Sequence, residues 1–414
     1  MTLNVLGGEG AVDGSSSMLQ KMRWQQHSAQ NESTMLTITK TNDNHDDDEK
    51  KEGVTITDVH IISDRLEQAQ RLGEDCKIFA AAELLEGIDR KHFQQVHHDI
   101  MKEAPLFRRL LEDASSPIIA SSDNDKSKFN NKSNKHHNPD EWIKQGEQHG
   151  GRHNFAMYYK VSATNQVTCR LETPIEPSLL IPILAVLNES ELYKTWIPQY
   201  KVPRLEVVTS EKLCQSGRVT QTILVETEVP WPIARRELIL KAVACDDIVD
   251  SNEQEEEEGR GGSTTNSNNN NSGSSRILVR IQSLDCEDSG EDGLEILPAK
   301  KGVRIKVDGG FVFEKCPIDH PMARSSSGDK TNNLILLTFT FSVDPKLSIL
   351  PQSFLNFFLR VAMRQIWGMF LHVAEEVGDG KRPAHSEAIE RKREELYDWV
   401  EERTNAMLQQ SSSK

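Results

Sequence analysis

Positive charge is scarce in this chain: 49 Lys and Arg stand against 64 Asp and Glu over 414 residues, a formal net charge of −15 at pH 7. That balance excludes the basic face by which nucleic acid is held, and it argues against attraction of the whole protein to an anionic membrane. Apolar residues are also few, at 36% of the chain, because Asn, Ser, Asp and Glu tracts dilute them. Such tracts bury too little to fold. Cysteine is sparse, with Cys76, Cys169, Cys214, Cys245, Cys286 and Cys316 scattered singly and no CxxC pair. This excludes a disulfide framework and fits a reducing compartment. No apolar run reaches the roughly 20 residues that span a bilayer. The opening MTLNVLGGEGAVDG lacks the basic start and apolar core of a secretory signal. The expected address is cytoplasmic, with membrane contact only peripheral and transient.

Catalytic signatures are missing as well. There is no GxxxxGK[ST], and the Gly pairs at 150, 261 and 309 lack the strand-to-helix setting of a dinucleotide loop. Cys316 and His320, within CPIDHP, are the nearest approach to a metal pattern, but only two ligands are local and two prolines make a turn the simpler account. His97-His98 and His136-His137 read as solvated. No nucleophile with its base and no acid pair stands out, so no enzyme activity, metal or cofactor is expected.

The patterns that remain divide the chain. Residues 1–55 read as a disordered leader ending in an acidic run, and 114–140 as a Ser/Asn/Lys/His linker. Between them, over 56–113, lies a helical hairpin region. Leu66, Ala69, Leu72, Cys76, Phe79 and Leu84 predict one helix capped by Asp64 and ended by Gly87; Asp89 caps a second with Phe93, Val96 and Ile100, and Pro105 opens a third. Over 141–378 the period becomes two. Met157, Tyr159 and Val161, then Val167, Cys169 and Leu171, alternate with polar neighbours as antiparallel strands do, and further strands follow to Val343, interrupted by a disordered insert at about 251–275. Pro351 opens a long helix, Gln352 to Val377, and a charged helix at 384–409 carries Ile389, Leu396 and Val400 on one stripe for docking.

An antiparallel sheet with one apolar face, closed by a helix apolar over more than one stripe, encloses either a solid core or a cavity. Alternation sends Lys241, Arg304, Lys306 and Asp308 to water, and turns Leu238, Leu240, Ala242, Ala244, Val303, Ile305 and Val307 inward with Ile277, Val279, Ile281, Leu337, Phe339 and Phe341. Candidate cavity-lining residues are therefore Leu238, Leu240, Ala242, Val303, Ile305 and Phe339 of the strands and Phe354, Phe358, Gln365 and Met369 of the helix. Gln365 and Gln221 are polar groups that either hold a head group or point to solvent. Pro230-Trp231-Pro232 ends a strand and holds a large amphipathic ring in a loop, which is either a lid or a plug in the core.

Three segments then carry a family resemblance: Leu187-Asn188-Glu189-Ser190-Glu191-Leu192-Tyr193 with Trp196 and Pro198; Val229-Pro230-Trp231-Pro232 with Arg236-Glu237; and Asp344-Pro345, Leu350-Pro351 with Phe354, Asn356 and Phe358. Their order and spacing resemble the START family, the steroidogenic acute regulatory protein-related lipid transfer domains, over about residues 140–378. The resemblance implies an α+β helix-grip fold, a curved antiparallel β-sheet wrapped around a long C-terminal α-helix, with one lipid in an internal tunnel to be transferred or sensed between membranes. It implies a gate at Pro230, Trp231, Pro232, Ile233 and Arg235 together with Leu350 to Phe358. The implied partner is a phospholipid, sterol or acyl chain. Sterol-binding members place a buried Arg where this chain has Ala242, and neither the insert nor the flanking helices belong to the family's minimal unit. The alternatives are a protein-interaction module using the flanking helices, or a cyclase or hydrolase on the same fold.

Overall fold

The β-forming runs pair in a single antiparallel path. The computed structural model describes residues 56–117, 142–149, 152–161, 166–201, 204–229, 234–248, 275–288, 290, 293–299, 302–323, 333–344, 346 and 361–409. Strands β1 (Ile143–Gln148), β2 (Phe155–Val161), β3 (Val167–Ile175), β4 (Tyr200–Lys201), β5 (Arg204–Ser216), β6 (Thr220–Glu228), β7 (Arg236–Asp247), β8 (Arg276–Ser283), β9 (Val303–Arg304), β10 (Lys306–Lys315) and β11 (Ile335–Asp344) form one sheet. Its order is β1-β2-β3-β11-β10-β8-β7-β6-β5-β4, with β9 beside β7 as a short parallel pairing. Register shifts bend β5 between Val207 and Thr209 and again between Lys212 and Cys214. β1, with the polar sequence IKQGEQ, carries no alternation and escapes a pattern-based reading.

Gly309 and Gly310 mark the tightest part of this sheet. An added Cβ would overlap the Thr340 carbonyl oxygen at the first and the Val279 carbonyl oxygen at the second. The pair therefore lets β10 run unbroken between β8 and β11.

The inner face meets helices α4 (Leu180–Asn188) and α5 (Met363–Gly378). Trp367, Phe370, Leu371 and Val377 of α5 join Leu171, Ile175, Phe311 and Phe313 in the main core, and Trp367 Nε1 donates to Thr173 Oγ1 at 2.9 Å. This is the helix-grip arrangement, a sheet closed on a long helix near the C-terminus.

The outer face is not left to water. Helices α1 (Ile56–Glu74), α2 (Ile78–Leu85) and α3 (Gln95–Ser115) cover it, with Ile100, Ala104, Phe107 and Leu110 packed on Val243, Cys245, Leu278 and Val312. Lys241, expected in solvent, instead donates to Glu103 of α3 at 3.0 Å, and Arg280, 1% exposed, donates to the same carboxylate at 2.9 Å.

Local predictions for these helices change accordingly. The first expected helix breaks at Cys76, whose φ of 65° is left-handed, and the break lets the Cys76 carbonyl accept from Asp246 N–H at 2.9 Å. Pro105 lies inside α3 and opens no helix, because buried neighbours on both sides hold the turn despite the missing N–H. His97 is 2% exposed, not solvated; its Nδ1 accepts from Gln94 N–H at 3.0 Å as part of the α3 cap.

After α5 come α6 (Pro383–Arg391), a π-helical turn (Arg393–Tyr397) and α7 (Asp398–Gln409). The stripe read from the sequence docks on this same chain: Leu396, Tyr397 and Val400 pack on Ala185 of α4, and Lys392 Nζ reaches Glu189 at 2.6 Å.

Candidate functional site

Alternation decides which side chains of β6, β7 and β8 face inward, and pairing lays them in rows. Gln221 lies opposite Ala242 and Ala242 opposite Ile281; Ala244, Val279, Phe311 and Phe339 form the next row. The two alanines are small, and the space they leave is not filled from above. A cavity of about 230 Å³ opens there. Its floor is Gln221, Ile223, Leu240, Ala242, Ala244, Ile277, Val279, Ile281 and Phe311; one wall is Leu184, Leu187 and Asn188 of α4 with Tyr193, Trp196 and Ile197 of the following turn. The other wall is Leu396, Tyr397, Trp399, Val400 and Arg403. Among the described residues, no side chain of α5 lines it, because the aromatic stack beneath α5 is solid: Phe311 and Phe339 lie 4.3 Å apart, Phe339 and Phe341 5.0 Å, and Phe339 and Trp367 5.8 Å, centroid to centroid.

The candidates from sequence separate on this geometry. Leu240 and Ala242 line the cavity; Leu238 packs beside it with Val207, Ile223 and Val225. Phe339 and Met369 belong to the core, and Ile305 is buried with its N–H on the Glu237 carbonyl at 3.1 Å. Val303 is 36% exposed on the short β9 edge, and Gln365 is exposed on the outward side of α5, so neither reaches the cavity. Phe354, Phe358, Pro230, Trp231, Pro232 and Ile233 lie outside the described residues. Arg235 is engaged by Glu228 at 2.7 Å and Arg236 is buried with its guanidinium on the Ala234 carbonyl at 2.7 Å, so neither stands free for a phosphate. The lining role of the wall at 396–403 is not evident in the sequence. Its apolar stripe is visible there, but a stripe shows only that a helix must pack, not on what.

One end of the cavity is ionic. Arg403 pairs with Asp75 at 2.6 Å and with Asp246 at 3.2 Å, Arg218 approaches Asp75 at 3.6 Å, and Trp399 Nε1 donates to Asp75 at 3.1 Å. The helix break at Cys76 is what presents Asp75 to them. Burial pushes the Asp246 carboxyl up to about 6, against the opposing pull of Arg403. Elsewhere the walls are apolar apart from Asn188, Tyr193 and three buried polar atoms without a hydrogen-bond partner, Trp196 Nε1, Gln221 Oε1 and the Tyr397 hydroxyl. The two phenols at the cavity are placed differently: the Tyr193 hydroxyl donates to the Leu187 carbonyl at 2.5 Å, and the Tyr397 hydroxyl sits by Asn188.

Among the described residues no group of three or more His, Cys, Asp or Glu could hold a metal ion. His320 pairs with Glu172 at 3.3 Å, and burial raises the Cys316 thiol to about 12. No described helix is long and apolar enough to cross a membrane.

No protein-family model matches the chain, and no curated protein matches it in sequence. It is similar to solved structures of StAR-related lipid transfer proteins. One from Xanthomonas axonopodis is 16% identical with a TM-score of 0.35, over 56% of this chain and 98% of that one. Human StAR-related lipid transfer protein 5 is 12% identical with a TM-score of 0.36, over 57% and 87%. Human STARD10 is 13% identical with a TM-score of 0.37, over 64% and 81%.

Proposed function

We propose that this chain binds one apolar ligand, a lipid, in the cavity between β6–β8, α4 and α7, and carries or senses it. The observation that supports this most directly is the unfilled space over Ala242 and Ala244, enclosed by apolar side chains where a protein interior is normally close-packed. At about 25 cal/mol per Å² of apolar surface removed from water, an enclosed chain is retained during aqueous transit. At about 230 Å³ the space suits a single chain or ring body better than two acyl chains. The segment Pro230 to Ile233 with Arg235 is the proposed gate, Trp231 entering the membrane interface while the ligand passes.

Extraction from vesicles tests the reading. The full chain should draw a single-chain fluorescent lipid from vesicles into the aqueous fraction, and so should Lys306→Ala on the exposed side of β10. Ala242→Trp, which fills the space, should not, although it melts within a few degrees of the parent. Equal extraction by Ala242→Trp would show that the lipid sits elsewhere.

A further inference from the structure

Gln221 is 6% exposed and Trp196 8%, yet Gln221 Oε1 and Trp196 Nε1 have no partner within the protein. Both residues line the same cavity. Gln221 lines it beside Ala242, its cross-strand partner on β7. The Trp196 ring is held edge-on to Tyr193 at 5.9 Å and tilted against Phe370 at 6.0 Å. Buried polar groups are normally satisfied, so an unpaired donor and an unpaired acceptor at one cavity, with the Tyr397 hydroxyl beside them able to act either way, are the complement of a ligand hydroxyl.

The same walls exclude charge on that ligand. The cationic side chains at the cavity, Arg218 and Arg403, already face the carboxylates of Asp75 and Asp246, two against two. A phosphate or carboxylate would enter without a counter-ion, which burial penalises heavily. A hydroxyl, by contrast, accepts from an indole N–H and donates to an amide oxygen at once.

Resting on the cavity as the ligand site, we infer that its ligand is a neutral lipid alcohol whose hydroxyl accepts from Trp196 Nε1 and donates to Gln221 Oε1. Charged head groups are rejected.

Displacement of Nile red from the full, delipidated chain by decanol, decanoate and decane tests this. Decanol should displace the dye at about tenfold lower concentration than either of the others, the worth of one to two net hydrogen bonds. In Gln221→Met, and in Gln221→Met with Trp196→Phe, decanol should fall to the level of decane while decane is unchanged; the single variant, near-isosteric, keeps the test available if the double variant does not fold. Decanoate equal to or better than decanol, or a decanol preference that survives both variants, overturns the inference and leaves the ligand cavity standing. No displacement by any of the three overturns both.

Discussion

At the scale of single residues, burial sets the behaviour of the paired acids that end β7. Asp247 is pushed up to about 6, chiefly by burial, with Arg276 opposing and Asp246 adding to the rise. A carboxyl whose folded value lies above its ordinary 3.8 contributes stability that is complete below 3.8 and is lost as pH rises through about 6. Asp247→Asn removes that dependence. The melting-temperature gap between Asp247→Asn and the parent should therefore move in the variant's favour between pH 5 and pH 7.5; a gap that stays flat would mean the carboxyl is not held protonated by the fold. Inward and outward facing on β7 was legible here because a strand has period two: Leu240 and Ala242 point in, Lys241 out. What Lys241 meets was not legible. Glu103 lies far off in sequence, and no local pattern announces a carboxylate waiting beneath a helix.

Among the elements, α3 owes its position to that carboxylate as well as to its apolar stripe. Glu103 is 6% exposed and serves two cations, Arg280 and Lys241. Glu103→Ala leaves the buried Arg280 guanidinium with only Gln282 and, at 4.0 Å, Asp308, and should lower unfolding stability by about 3–5 kcal/mol. Denaturant titration checks this, and a loss under about 1 kcal/mol would show that Asp308, already 4.0 Å away, or water carries the charge instead. In β10, Gly310→Ala should cost about 1–3 kcal/mol by forcing backbone against backbone at Val279, again by denaturant titration; a neutral result would mean the strands part easily. The Gly pair was visible in sequence, but its purpose was not, since close approach depends on two partner strands. Likewise the helix predicted through Cys76 breaks for partners that sit on β7 and α7, and the stripe of Leu396 and Val400 announced packing without naming α4 or a cavity.

For the whole molecule, the sheet is covered on both sides, by α1–α3 outside and by α4, α5 and α7 inside, and one part of the inner face is left open as a cavity. Trp231→Ala should slow lipid transfer between vesicles while thermal stability is kept, the result expected of the proposed gate; a stability loss of roughly 3–5 kcal/mol would instead identify a core plug. The central claim is that this cavity encloses one apolar ligand. Native mass spectrometry of the full chain purified from its own cells measures it most directly. The expected result is a single bound lipid per chain, removed by organic extraction and missing from Ala242→Trp. A bare polypeptide mass, or the same bound species on Ala242→Trp, would contradict it.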